Sequence, residues 1–218
     1  MTVLSGCRRI GLAMCLSAAL AGCGGLFHSN ARPEQVYVLR SAPIPLDPAA
    51  APVAASLRVN RPTANPGLDS PQIILVESDR RMSFFTASRW PAPASNMLEM
   101  LAVEKLRASG TWASVADSSS AFPSDYVLQT TIRRFEADYT GGATAPEVHV
   151  VIDCIVGKRE GREVVANFLA IGTAQATTNR MSAVVPAFEA ATNAALDSMA
   201  AKTAQAVRDS LAAHKVAP

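Results

Sequence analysis

The sequence predicts an α+β domain, a mainly antiparallel sheet with two helices packed on one face. Three observations lead there. Tyr126 to Tyr139 and Val148 to Val156 alternate apolar and polar residues, the period of half-buried strands. Two other stretches, one stopping at Gly110 and one near the C-terminus, carry helical periodicity and an apolar stripe that needs covering. The order is strands, helix, strands, helix, which places helices together on one side of a sheet.

Tyr37-Val38-Leu39 is the first strand candidate. Residues 41–71 then hold seven of the fourteen prolines, a density that forbids helix and central strand for most of the stretch and leaves extended or polyproline-like backbone. One short strand, Leu57-Arg58-Val59, interrupts it. Ile73 to Val76 and Met82 to Thr86 flank the charged turn Ser78-Asp79-Arg80-Arg81 and form a hairpin. Asn96 with Glu99 three residues later marks a helix start, and Gly110 marks its end.

In the second half, the apolar parity of Tyr126, Leu128, Thr130 and Ile132 switches after Arg133-Arg134 to Phe135, Ala137 and Tyr139. That switch predicts a bulge. Val148 to Val156 and Val164 to Ile171 pair as a second hairpin across Lys158 to Arg162. The last element is a long helix from about Ser182 to Ala213. Its inward stripe includes Val185, Phe188, Thr192, Ala195, Leu196, Met199 and Val207, and Pro186 belongs in its first turn.

The N-terminus is of another kind. Arg8 and Arg9 precede an apolar run, Ile10 to Leu20, far shorter than the roughly 20 residues that cross a bilayer. The run closes on Leu20-Ala21-Gly22-Cys23, and the whole resembles a bacterial lipoprotein signal. That resemblance implies cleavage before Cys23, lipidation of Cys23 with palmitate-type acyl chains, and a membrane anchor. Residues 1–22 are then the signal peptide, 23–36 a lipidated tether and 37–218 the domain.

Arg8 and Arg9 are the only charged residues of the signal, so its removal takes the formal net charge from +2 to zero. No net basic field is left to attract nucleic acid. Cys7 and Cys15 leave with the signal and Cys23 carries lipid, so Cys154 is the one remaining thiol, expected as a small core residue. No cofactor or metal motif is present, and the three histidines, His28, His149 and His214, are scattered. No catalytic residue is assigned. His149 and Asp153 share one side of a strand and are expected on its solvated face. Arg80, Arg89 and Trp90 are the interface candidates, because Arg and aromatic residues dominate binding hot spots. Core packing is the competing role for Trp90.

Taken in order, several segments resemble the auxiliary lipoproteins of ABC-type transport systems. They are Tyr37-Val38-Leu39, Leu57 to Pro62, Pro66-Gly67-Leu68-Asp69-Ser70, Asp79 to Phe85 with Arg89-Trp90, Tyr126 to Glu136, and the Ala-rich final helix with Phe188. The resemblance is to PqiC-like outer-membrane partners of MCE-type lipid transport systems. It implies a non-enzymatic subunit facing the periplasm, an MCE-domain protein as partner, and a homo-oligomer as a possible assembly. Gly24 after the acylated cysteine resembles cargo released to the outer membrane. The competing reading is a structural envelope lipoprotein that supports the cell wall or outer-membrane assembly.

Overall fold

The structure is a computed structural model and describes residues 33–42 and 52–216. The expected signal peptide, Cys23, most of the expected tether and part of the Pro-rich segment lie outside the described residues. The chain divides into two compact units, Met1–Pro33 and Glu34–Pro218, and every element below belongs to the second.

Among the described residues, nine strands and two long helices make one α+β layer pair. The strands are β1 (Gln35–Val36), β2 (Val53–Val59), β3 (Thr63–Ala64), β4 (Gln72–Val76), β5 (Met82–Arg89), β6 (Trp112–Ala116), β7 (Tyr126–Asp138), β8 (Glu147–Lys158) and β9 (Glu163–Gln175). Helix α1 (Ala94–Ala108) follows β5, and α2 (Met181–Val216) follows β9. β7 is the axis of the sheet. One of its edges pairs antiparallel with β8, which pairs antiparallel with β9. Its other edge receives β2, β3 and β4 in succession, all parallel.

The sheet is therefore mixed, which corrects the expectation of mainly antiparallel pairing in one respect. The two sequence-predicted hairpins, β4–β5 and β8–β9, are antiparallel as expected. β1 with β5 and β2 with β6 are parallel. Parallel neighbours come from segments far apart in the chain, joined by long crossovers. Alternation in a single strand reports its buried face and carries no record of its neighbour's direction.

Most elements follow the local pattern. The parity switch in β7 is a bulge at Arg133: Ile132 pairs with Ile152, but Arg134 pairs with Val151. β2 is longer than expected, because Val53, Ala55, Leu57 and Val59 all point into the core. β1 sits two residues earlier than expected. The Tyr37 amide still donates to the Arg89 carbonyl at 2.9 Å, after which Leu39 turns into the core and leaves the edge.

The α1 start differs from the predicted capping box. Pro93 occupies the N-cap, and the Ser95 amide donates to Asp69 Oδ1 at 3.2 Å, so a remote loop satisfies the helix end. Glu99 is drawn elsewhere: it accepts from the Ser118 amide at 2.9 Å and pairs with Arg61 at 3.3 Å. Gly110, with φ of 59°, supplies the left-handed residue beyond the C-terminus.

Pro186 lies beyond the first turn of α2, which starts at Met181. It is exposed, and so is Ser182, whose carbonyl loses its amide donor to the ring and faces water instead. Val184, Ala187 and Phe188 are buried around it and hold the turn on the sheet.

Candidate functional site

Trp90 stands at the end of β5, and its ring is fully buried. It meets Phe188 of α2 edge-on at 5.2 Å between centroids and Phe135 of β7 at 6.0 Å, while those two phenyl rings lie 5.3 Å apart. Such contacts contribute about 0.5–1.5 kcal/mol each beyond area burial. Three segments that carried the family resemblance converge in this cluster. Its place in the core gives Trp90 a packing role and removes its ring from any surface of this fold.

The other two interface candidates are separated from each other. Arg89 pairs with Glu34 at 2.8 Å and donates to the Trp90 carbonyl at 3.3 Å, which fastens the incoming chain to the edge of the sheet. Arg80 is at the tip of the β4–β5 turn with φ of 68°, and its amide donates to the Glu77 carbonyl at 2.8 Å. The length of β5, roughly 25 Å, lies between them. Its neighbour Arg81 is taken up by Glu77 at 2.5 Å and Asp79 at 3.1 Å.

β1 covers only the C-terminal end of β5, at Ser88 and Arg89. From Met82 to Ala87 the outer edge of β5 has no strand beside it among the described residues. Met82 and Phe84 are about half exposed here (49% and 53%), and Val36 and Val38 are exposed on the adjoining segment. An unpaired edge with exposed apolar side chains and a cationic tip is suited to adding a partner strand or segment. It is the candidate docking site.

A second polar device fixes where the domain's N-terminal strand goes. Along α2, Glu189 accepts from the Arg40 amide at 2.9 Å. Asn193 accepts from the Ala42 amide at 2.7 Å and donates to the Arg40 carbonyl at 3.0 Å. One turn further on, Asp197 takes the buried Lys105 ammonium of α1 at 2.5 Å, and Asn193 Oδ1 accepts from the same ammonium at 3.3 Å. The four-residue spacing of Glu189, Asn193 and Asp197 puts them on one helix face. Sequence reading passed over that signal.

The histidine, aspartate and thiol that the sequence singled out are occupied or buried. His149 lies 3.1 Å from Glu147 and 3.9 Å from Asp138, and Asp153 pairs with Arg133 at 2.6 Å, all on the sheet face away from the helices. Burial, with Asp153 next in effect, pushes the Cys154 thiol up to about 12, so it is protonated and inert. A cleft of about 610 Å³ beside α1 is bordered by Arg61, Glu99, Met100, Arg107 and Asp117, whose charged members pair with one another. Among the described residues no group of three or more His, Cys, Asp or Glu could hold a metal ion. No helix among them is long and apolar enough to cross a membrane.

A family model described as ABC-type transport auxiliary lipoprotein component matches residues 37–201. Among solved structures, the chain is similar to protein XCC0632 of Xanthomonas campestris, at 27% identity and a TM-score of 0.72. That match covers 81% of this chain and 98% of the other. It also shares its fold with the hypothetical protein CT253 of Chlamydia trachomatis, at 8% identity and a TM-score of 0.52, over 71% of this chain and 98% of that one. No curated protein matches the sequence.

Proposed function

The chain belongs to the family of ABC-type transport auxiliary lipoprotein components, and from that premise we propose that it docks the periplasmic MCE-domain protein of a lipid transport system at the outer membrane. The family is a lipoprotein component of a transporter and not a class of enzyme. The observation that carries the reading is the match over 37–201 immediately downstream of Leu20-Ala21-Gly22-Cys23. Acylation of Cys23 would hold the domain on the membrane, since each buried methylene contributes about 0.8 kcal/mol. Gly24 favours release to the outer membrane. The edge of β5, with Phe84 exposed and Arg80 at its tip, is where the partner would seat, and Arg89 would hold the chain beside it.

The experiment is capture of the lipidated protein in mild detergent, followed by identification of what comes with it. The expected result is recovery of an MCE-domain protein, lost with Phe84→Glu combined with Arg80→Glu at unchanged melting temperature. Cys23→Ala should leave the protein unprocessed and without lipid. Co-sedimentation with peptidoglycan and recovery of no transporter component would replace this reading with that of a structural envelope lipoprotein.

A further inference from the structure

Four cations gather at the end of the sheet remote from the β5 edge. Arg58 comes from β2, Lys158 from the last position of β8, and Arg159 and Arg162 from the turn into β9. With Ser124 they line an open cleft of about 460 Å³, and Glu163 is the acidic side chain among the lining residues. The volume falls within the roughly 300–1,000 Å³ typical of small-molecule sites.

The backbone builds this cluster. Gly161 and Arg162 both adopt positive φ, 73° and 54°, so the turn curls back on itself. The Arg159 amide donates to the Asp125 carbonyl at 2.9 Å, which ties the turn to the segment entering β7 and sets Ser124 beside it. Asp125 makes no ion pair with these cations among the described residues. Its carboxylate accepts the Ser56 amide and hydroxyl, both at 2.7 Å, and these hold its pKa below the usual range.

Two residues that line the cleft carry a buried donor with no partner among the described residues: the hydroxyl of Ser124, which is 6% exposed, and Arg58 Nε. Arg58 uses its other arm on the Phe122 carbonyl. Neither Arg159 nor Arg162 makes a side-chain ion pair among the described residues. Buried unpaired donors are rare and costly, and two of them beside the guanidinium groups of Arg159 and Arg162 call for an acceptor with negative charge. Val127, Ile155 and Val164 add apolar surface to the lining, beside the polar Asn60 and Gln129.

We propose that this cleft binds a phosphate group, its oxygens taken by the guanidinium forks of Arg58, Arg159 and Arg162 and by the Ser124 hydroxyl. Arginine matches phosphate oxygens in paired geometry, and three arginines around one cleft favour an anion. The phosphate could be that of a phospholipid headgroup, whose glycerol and upper chains would lie on the apolar lining, or that of a small soluble compound. The site lies about 30 Å along β7 from the docking edge and does not depend on it.

The test is calorimetric titration of the full-length, detergent-solubilised protein. The probes are inorganic phosphate, dihexanoyl phosphatidylglycerol below its micelle concentration, and dihexanoyl glycerol, which lacks phosphate. Binding of a phosphate-bearing probe is expected, about tenfold or more weaker in Arg159→Gln/Arg162→Gln and in Ser124→Ala, and weakening as salt is raised. The two arginines are exposed, so the double variant should melt with the wild type. Phosphatidylglycerol binding without phosphate binding identifies a lipid headgroup, and equal binding identifies the free anion; either supports the site. Absence of binding by both, equal binding of dihexanoyl glycerol, or unchanged affinity in the double variant overturns it. None of these outcomes bears on capture of an MCE-domain partner.

Discussion

The indole of Trp90 joins three elements that are distant in sequence, which makes it the most consequential single side chain in the core. Trp90→Ala would leave a cavity between Phe135 and Phe188 and should cost about 3–5 kcal/mol. Thermal unfolding followed by circular dichroism would show a large drop in midpoint. A variant that melts like the wild type yet loses its partner would restore an interface role. Asp125 offers a pH-dependent test. Its folded pKa is lowered by the Ser56 amide first and the Ser56 hydroxyl second, so its contribution is complete above the unfolded value of about 3.9 and is lost as pH falls through the folded value. Ser56→Ala removes the hydroxyl and raises the folded pKa. The melting difference between wild type and Ser56→Ala should therefore be greatest near neutrality and shrink toward pH 2. A difference independent of pH would mean that the hydroxyl acts without the charge. Cys154 was readable as a core residue from its place in an alternating strand. For Trp90 the sequence left core and interface both open, because Arg and Pro neighbours are as compatible with a surface as with the rim of a core.

Between elements, α2 comes very close to β9. A Cβ at Gly172 would stand 1.9 Å from the Ala191 carbonyl oxygen and 2.7 Å from the Ala195 amide, so the helix backbone rests directly on the strand. Gly172→Ala must push α2 away, and a loss of at least about 1–3 kcal/mol is expected in denaturant unfolding. Little or no loss would show that α2 shifts without cost. Further along, Lys202 donates to the Leu169 carbonyl at 2.9 Å and lies over the Phe168 ring, continuing the same contact. The helix itself was evident from its stripe, but this contact was not, since a glycine in a strand signals close approach without naming the neighbour. β6 escaped sequence reading for a different reason. Trp112 to Ala116 is five residues with two alanines and a serine, too short for alternation to stand out, and its pairing with β2 spans more than fifty residues.

For the molecule as a whole, the compact unit Glu34–Pro218 contains every described strand and helix. A protein beginning at Glu34 should therefore fold with the full-length melting temperature while leaving the membrane fraction. Failure to fold would mean that the first 33 residues contribute to the core. The succession of strands and helices, the bulge in β7, the two hairpins and the burial of Cys154 were set by the sequence itself. Each depends on residue type and spacing within a few turns or a single strand. The tertiary structure alone decided that the sheet is mixed, that Asp69 caps α1, that Trp90 is internal, and that Arg58 meets the Lys158 to Arg162 turn. Those facts depend on which distant segments become neighbours, and net charge hides the last of them. A domain with formal charge of zero can still concentrate four cations in one cleft, because folding sorts charges by position while composition only counts them.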